Sequence, residues 1–358
     1  MYSFFCSSTC HSVGIQTARN FSAVPPSLLS LRIQSSSASS SAPSALPSCP
    51  SQPPHSTTSM TADNTPQSLD PIQMLSLKEL ARLSELSPEE FEARLESIRN
   101  KKGFICDMDG VIYHGKKLLP GVKEFIDWLQ KNDKKFLFLT NNSAPTPAEL
   151  NRKLQKLGVN VPEKHFYTSA IATAKFLQSQ KPRGGSCYVI GEPALTYTLY
   201  EHGFIMNDTD PQYVVIGETT SYNFDKINTA TNLVHRGAKL IGTNPDVNGP
   251  LEGGAIEPGC GAFVAAVEMA TGKKAFFCGK PSSLMMSYAQ SILGTTKEET
   301  CIIGDRMDTD ILAGTWANID PVVVLSGITN EGNLYNEAYR PYIVLNGVID
   351  FVSEPSQA

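Results

Sequence analysis

Two aspartates one residue apart, Asp107 and Asp109, close the segment Lys102-Gly103-Phe104-Ile105-Cys106-Asp107-Met108-Asp109-Gly110-Val111-Ile112-Tyr113. Acids this close are costly unless positive charge sits between them. Mg²⁺ suits the position, because it takes hard oxygen ligands in an octahedron of roughly 2 Å bonds and keeps some waters. An aspartate beside such an ion can attack phosphorus and form an aspartyl-phosphate. A second acid two residues on can protonate the leaving oxygen and then activate water. The same pattern also serves as an ordinary acidic turn, so the pair alone leaves both readings open.

The elements around the pair point to a parallel sheet. Phe104, Ile105 and Cys106 suit a strand buried on both faces, and Gly110 gives a tight turn the freedom it needs. Gly121 to Gln130 reads as an amphipathic helix and Lys135-Phe-Leu-Phe-Leu-Thr140 as a second buried strand. Strand, helix and strand at this spacing make a right-handed βαβ unit. Thr140 then reaches the same sheet edge as Asp107, where ligands bind in open α/β sheets. Its hydroxyl and the following N–H groups can hold a phosphate oxygen, or simply cap a turn.

Further along, Ala275-Phe-Phe-Cys-Gly-Lys280-Pro281 reads as a strand ending at Lys280, and Thr300-Cys-Ile-Ile-Gly304-Asp305 as another ending at Asp305. Asp308 and Asp310 follow. Taken alone, Lys280 reads as a solvated surface lysine and Gly-Asp as a common strand exit. Taken together, four strands each end in a polar group, and in one parallel sheet all four ends share an edge. Asp107 and Asp305 can then bracket Mg²⁺ while Thr140 and Lys280 hold phosphoryl oxygens, with Asp310 orienting Lys280. In-line phosphoryl transfer needs this set.

The chain has 358 residues, 41% of them hydrophobic, and a net charge of −5 with both signs interspersed. That composition allows one large or two modest domains and argues against a nucleic-acid-binding stripe. No apolar run reaches the length of a membrane span, so a membrane is not expected. Eight cysteines show no paired spacing; Cys106, Cys187, Cys260, Cys278 and Cys301 lie in apolar or Gly-rich segments and read as buried thiols of a reducing compartment. Residues 1–70 form a Ser/Pro-rich tail with no acid before Asp63. It is expected to be disordered and fits a chloroplast or mitochondrial transit peptide; without one the protein is cytoplasmic. Residues 71–101 are expected as a helical arm, with capping boxes at Ser76 and Ser87, packed on the domain or a partner and without chemistry. Residues 102–181 and 272–353 form the two parts of a core, and 182–271 an inserted α/β module. Three polar loops of that module stand out as recognition candidates: Glu218–Asn223, Asn244–Asn248 and Glu257–Gly261.

Asp107-Met-Asp-Gly-Val, Thr140-Asn141, Gly279-Lys280-Pro281 and Gly304-Asp305-Arg-Met-Asp-Thr309-Asp310 resemble the four motifs of the haloacid dehalogenase superfamily of phosphatases. The inserted module resembles the large cap of its NagD-like subgroup. Phe166-Tyr-Thr-Ser-Ala170, Gly217-Glu-Thr-Thr-Ser-Tyr-Asn223 and Thr243-Asn-Pro-Asp246 strengthen the match, which spans about 103–352. The resemblance implies an α/β fold: a Rossmann-like, doubly wound parallel-sheet core with an inserted smaller α/β cap domain. It implies Asp107 as nucleophile and Mg²⁺ ligand, Asp109 as general acid/base, Mg²⁺ ligand through its carbonyl and substrate contact, and Asp305 as third ligand with Asp310 behind it. Thr140, Asn141 and Lys280 would bind phosphate, and Arg306, Met307, Asp308 and Thr309 would lie beside the substrate. The cofactor is Mg²⁺. The expected partners are a small phosphorylated metabolite and, through the cap, a second copy of the chain, with no nucleic acid polymer. Nucleoside monophosphates such as UMP are the favoured substrates; phosphoglycolate or p-nitrophenyl phosphate are the alternative within the family. A phosphate-accepting signalling domain uses similar residues but lacks such a cap, and turnover of p-nitrophenyl phosphate separates the two.

Overall fold

The computed structural model describes residues 74–250 and 255–352. The tail, its targeting reading and the first residues of the arm lie outside the described residues. Among those described, no helix is long and apolar enough to cross a membrane.

The arm is two helices, α1 (Leu77–Leu83) and α2 (Pro88–Arg99), each opened by the expected capping box: Ser76 with Glu79 and Ser87 with Glu90. The reciprocal bonds satisfy helix-start donors that have no partner in the helix itself. The arm is not an appendage. Leu80, Phe91, Leu95 and Ile98 are buried in the same cluster as Phe104 and Phe125 of the core. Leu83 joins Met307, Ile311 and Val344 in another cluster. Phe91 is 1% exposed, so Phe91→Ala is expected to cost about 3–5 kcal/mol through lost transfer energy and an uncollapsed cavity. Denaturant melts read this; an unchanged midpoint would mean the arm is dispensable.

The core runs through β1 (Gly103–Asp107), the β2–β3 hairpin (Tyr113–His114, Lys117–Leu118), α3 (Val122–Lys131), β4 (Lys135–Thr140), α4 (Pro147–Lys156), β5 (Phe166–Thr168) and α5 (Ser169–Gln180). The chain then enters the smaller module: β6 (Gly185–Ile190), α6 (Pro193–Glu201), β7 (Phe204–Met206), β8 (Tyr213–Ile216), α7 (Phe224–His235) and β9 (Lys239–Gly242). A hairpin, β10 (Asn248–Pro250) with β11 (Ile256–Pro258), precedes α8 (Cys260–Thr271) and β12 (Phe276–Phe277). The chain returns through α9 (Ser283–Leu293), β13 (Thr300–Gly304), α10 (Leu312–Ala317), β14 (Asp320–Val324) and β15 (Ile343–Leu345).

Six parallel strands in the order β15–β14–β13–β1–β4–β5 form the core sheet. Alternate residues face opposite sides. Phe104, Cys106, Phe138 and Ile303 pack on α2, α3 and α4, while Ile105, Leu137, Leu139 and Ile302 pack on α5 and α9. The sheet is therefore doubly wound, and its apolar strands are explained by burial on both faces. The smaller sheet, β12–β9–β8–β6–β7, is also parallel. One of its faces packs on α7 and α8. The other shares a continuous cluster with α5 of the core, so the cap does not close a core entirely its own.

One strand differs from the sequence reading. The strand before Lys280 was expected in the core sheet, yet Phe276 and Phe277 pair with Ile241 and Gly242 of the smaller sheet. Phe276 also stacks on Phe176 of α5, with centroids 4.4 Å apart. That contact with the core side suits a crossing segment.

Candidate active site

Three of the four expected strand ends converge at one edge. Asp107 ends β1, Thr140 ends β4, and Asp305 follows Gly304 at the end of β13, with β1 paired to both neighbours in parallel register. Lys280 arrives from the other sheet. Its backbone is drawn into the site by Asn141, whose Oδ1 accepts from the Lys280 N–H at 2.7 Å and whose Nδ2 donates to the Lys280 carbonyl at 3.0 Å. The Asn141 amide nitrogen also reaches Asp246 at 3.2 Å, so the side chain expected on phosphate is spent on positioning.

The Lys280 ammonium, 2% exposed, bonds to Asp107 and, at 2.6 Å, to Asp310. Asp107, Asp305 and Asp310 each bring a carboxylate oxygen within 4.8 Å of the others. Burial, opposed by Lys280 and aided by Asp310 and Asp305, pushes the Asp107 carboxyl well above its ordinary value. Burial and then Asp310 push Asp305 up to about 7. Burial also opposes the charge of Lys280, but Asp107 and Asp310 outweigh it and hold the ammonium above its ordinary range. Burial is the main cause of the upward shift of both aspartates, and the neighbouring carboxylates add to it.

The donor set fits a hard dication. Asp305 Oδ2 accepts from the Ile328 N–H at 2.8 Å, but its buried Oδ1 has no protein partner. An orphaned buried carboxylate oxygen is costly unless a ligand completes it. Asp310 has no such vacancy. Lys280 occupies one oxygen, and the Arg306 N–H at 3.2 Å occupies the other. Asp310 is therefore suited to hold Lys280, and Asp107 with Asp305 to hold metal. Two glycines make room for Asp305. A Cβ on Gly110, at φ 80°, would lie 2.3 Å from Asp305 Oδ2, and one on Gly327 only 2.0 Å away.

Asp109 stands apart at the mouth, with His114 Nδ1 3.5 Å away and 60% of its side chain exposed. The walls of the cleft raise its carboxyl by desolvation, against His114 and Lys153; its exposure to water keeps that shift modest. Thr140 Oγ1 accepts from the Asn142 N–H at 3.1 Å, which leaves its proton free to donate outward.

The Met307–Ile311 segment is a π-helical turn, a departure that recurs at functional sites. It returns Asp310 to Lys280 and splits the remaining expected residues. Arg306 and Thr309 line the cleft; Met307 and Asp308 do not. The Met307 side chain instead packs with Leu83 and Ile311, and Asp308 binds the Arg306 guanidinium at 2.8 Å.

The cleft has a volume of about 1260 Å³ and takes walls from all three polar loops of the smaller module. Sequence reasoning singled out those loops but not the residues that tie them to the core. Ser143, fully buried, accepts from the Glu218 N–H at 2.8 Å. Asn244 donates to the Asn141 carbonyl at 2.8 Å and to Glu218 at 3.0 Å. The signal available was the Ser in Thr140-Asn-Asn-Ser143 and the Asn in Thr243-Asn-Pro-Asp246.

The fold and site define a Rossmann-like α/β protein with an inserted cap over a carboxylate–lysine cluster. The haloacid dehalogenase-like hydrolase family model matches residues 104–205, and a HAD-hydrolase-like model matches 277–351. A dihydroxyacetone phosphatase of Corynebacterium glutamicum is 41% identical over 247 residues, 69% of this chain and 89% of that one. The ribonucleotide monophosphatase NagD of Escherichia coli is 40% identical over 240 residues, 67% of this chain and 94% of that one. The solved 4-nitrophenylphosphatase of Thermotoga maritima superposes with a TM-score of 0.69 at 31% identity, covering 73% of this chain and 99% of that structure. The chain belongs to the haloacid dehalogenase-like hydrolases. Within them it is a NagD-like phosphatase, a phosphoric monoester hydrolase.

Proposed function

We propose that the protein is a Mg²⁺-dependent phosphatase acting on small phosphomonoesters through an aspartyl-phosphate on Asp107. The observation that carries this is the buried Lys280 bridging Asp107 and Asp310 beside the orphaned Asp305 oxygen. Asp107 and Asp305, with the Asp109 carbonyl, would hold the ion. Bound there, Mg²⁺ supplies Lewis-acid stabilisation of charge on the transferring group.

The chain's own residues account for the rest. The Asp107 carboxylate attacks phosphorus and the ester P–O bond breaks. Asp109, its carboxyl raised by the cleft, gives its proton to the departing oxygen. It then takes a proton from water as that water attacks phosphorus, and the bond to Asp107 breaks, releasing phosphate. The Thr140 hydroxyl and the Lys280 ammonium hold phosphoryl oxygens, as fixed donors aimed at developing charge. Asn141 and Asp310 position Lys280. Arg306 and Thr309 stand beside the substrate.

Relatives named for nucleotide, dihydroxyacetone and nitrophenyl phosphate activity support a phosphomonoester substrate. Within that range we favour nucleoside monophosphates such as UMP, over phosphoglycolate as the alternative. Self-association through the cap belongs to the same reading; its outer edge exposes Tyr197, Tyr200 and Ile205, and sedimentation velocity measures it.

The test is a phosphomonoester screen with and without Mg²⁺, including UMP, phosphoglycolate and p-nitrophenyl phosphate. Turnover that EDTA abolishes is expected, and no turnover on any of them would sink the proposal. Mg²⁺ at about 100 times its Kd should also add about 2.7 kcal/mol of stability. Asp305→Asn should remove that gain, and a melt independent of Mg²⁺ would refute the ion site.

A further inference from the structure

Among the described residues, every basic side chain lining the cleft already faces a carboxylate. Lys280 is held by Asp107 and Asp310. Arg306 is forked onto Asp308 at 3.1 and 2.8 Å. His114 lies 3.5 Å from Asp109. Among the described residues, the cap brings Glu192, Glu218, Asp246 and Glu257 to the cleft and no Lys, Arg or His.

These acids have few donors. Glu192 accepts from the Thr219 hydroxyl at 2.6 Å, and Glu218 from Asn244 and the Cys260 N–H at 3.0 and 3.3 Å. Asp246 takes the long Asn141 contacts, at 3.2 and 3.3 Å, and feels the charges of Arg306 and Lys280, which it shares with Asp308, Asp107 and Asp310. Glu257 is exposed on β11 opposite Gly249. Bound Mg²⁺ and a phosphoryl dianion offset each other, so an occupied site keeps an acidic cap wall. The rest of that wall is apolar: Tyr222 stacks on Phe263 with centroids 3.4 Å apart, and Phe224 is 81% exposed.

We infer that the cap is a charge filter on the leaving group, set by Glu192, Asp246 and Glu257. A phosphomonoester whose leaving group is neutral or cationic enters. One whose leaving group carries a carboxylate or a second phosphate meets like charge with no free cation to receive it. Like-charge juxtaposition in a cleft costs several kcal/mol, and discrimination against the wrong ligand is built from such repulsion. The filter rests on the phosphatase reading and sharpens it: it sets UMP above phosphoglycolate by the charge of the wall.

The experiment uses the Mg²⁺-loaded enzyme and two substrates of nearly equal size, glycerol 3-phosphate and 3-phosphoglycerate, with p-nitrophenyl phosphate as reference. We expect kcat/KM to favour glycerol 3-phosphate by at least about 30-fold. Glu257→Lys should raise kcat/KM on 3-phosphoglycerate by about 10-fold, mainly through KM, as one like charge becomes an opposite one. Structural damage would lower both substrates instead. Equal kcat/KM in the unaltered enzyme overturns the filter, as does a ratio that neither Glu257→Lys nor Glu192→Lys changes. Absence of turnover on every phosphomonoester tested, p-nitrophenyl phosphate included, overturns the phosphatase reading, and the filter with it.

Discussion

Asp107→Asn lowers kcat on p-nitrophenyl phosphate by at least about 10³-fold, the scale expected when a covalent nucleophile is removed, while the protein stays folded. The amide keeps the shape of the carboxylate but cannot attack phosphorus at a useful rate. Stability should hold, because the substitution takes one negative charge from a cluster in which Lys280 alone faces three carboxylates. Lys280 keeps its 2.6 Å bond to Asp310. Steady-state kinetics with a parallel thermal melt read both halves. A variant with near-normal kcat would remove Asp107 from the nucleophile role.

Lys280→Met has the second large effect, and here stability falls too. The methionine fills similar volume but leaves Asp107 and Asp310 facing each other without a cation. Breaking a buried pair by removing one partner costs about 3–5 kcal/mol. Turnover should drop by about 10²–10³-fold, as when a single preorganised donor to developing charge is lost. The stability loss depends on pH. A buried carboxyl whose folded value lies above its unfolded value binds more protons folded than unfolded, so it stabilises at low pH and loses that contribution as pH rises. For Asp305 the window runs from an ordinary aspartate value of about 4 to about 7 in the metal-free protein; Asp107 is raised as well. The gap in melting temperature between the metal-free parent and Lys280→Met should therefore be wider at pH 8 than at pH 5. A gap that narrows with rising pH would mean that Lys280 does not neutralise these acids.

The strand ends were legible in the sequence because they are local facts. A short apolar run followed by Asp-x-Asp-Gly, and another followed by Gly-Asp, fix both the element and the point where it opens to ligand. The arm was legible for the same reason, since Ser76 with Glu79 and Ser87 with Glu90 signal helix starts within four residues. The partner of a strand is not local. Phe276–Phe277 is two residues long, and only its register with Ile241 and Gly242 assigns it to the smaller sheet. Lys280 still reaches the site, because Asn141 grips its backbone from 139 residues away. That long-range grip also explains why Asn141 read as a phosphate ligand. Its donors fit either role, and the choice depends on what the fold brings near. The packing of Met307 was not legible, for a different reason. The π-turn rotates it onto the arm, and nothing in Arg306-Met-Asp-Thr309 announces an extra residue in the turn. Much of the acidity of the cap wall was present in three loops that read separately as polar, with Glu192 outside them, and became one surface only when the cap was set over the core sheet.

The most direct test of the account is to quench the Mg²⁺-loaded enzyme with acid during turnover of p-nitrophenyl phosphate, reduce it with borohydride and map the peptides by mass spectrometry. Reduction of an aspartyl-phosphate yields homoserine, and the account predicts it at position 107 and nowhere else, absent without substrate and absent in Asp107→Asn. Homoserine at another aspartate, or rapid product formation with position 107 unmodified at every quench time, would contradict it.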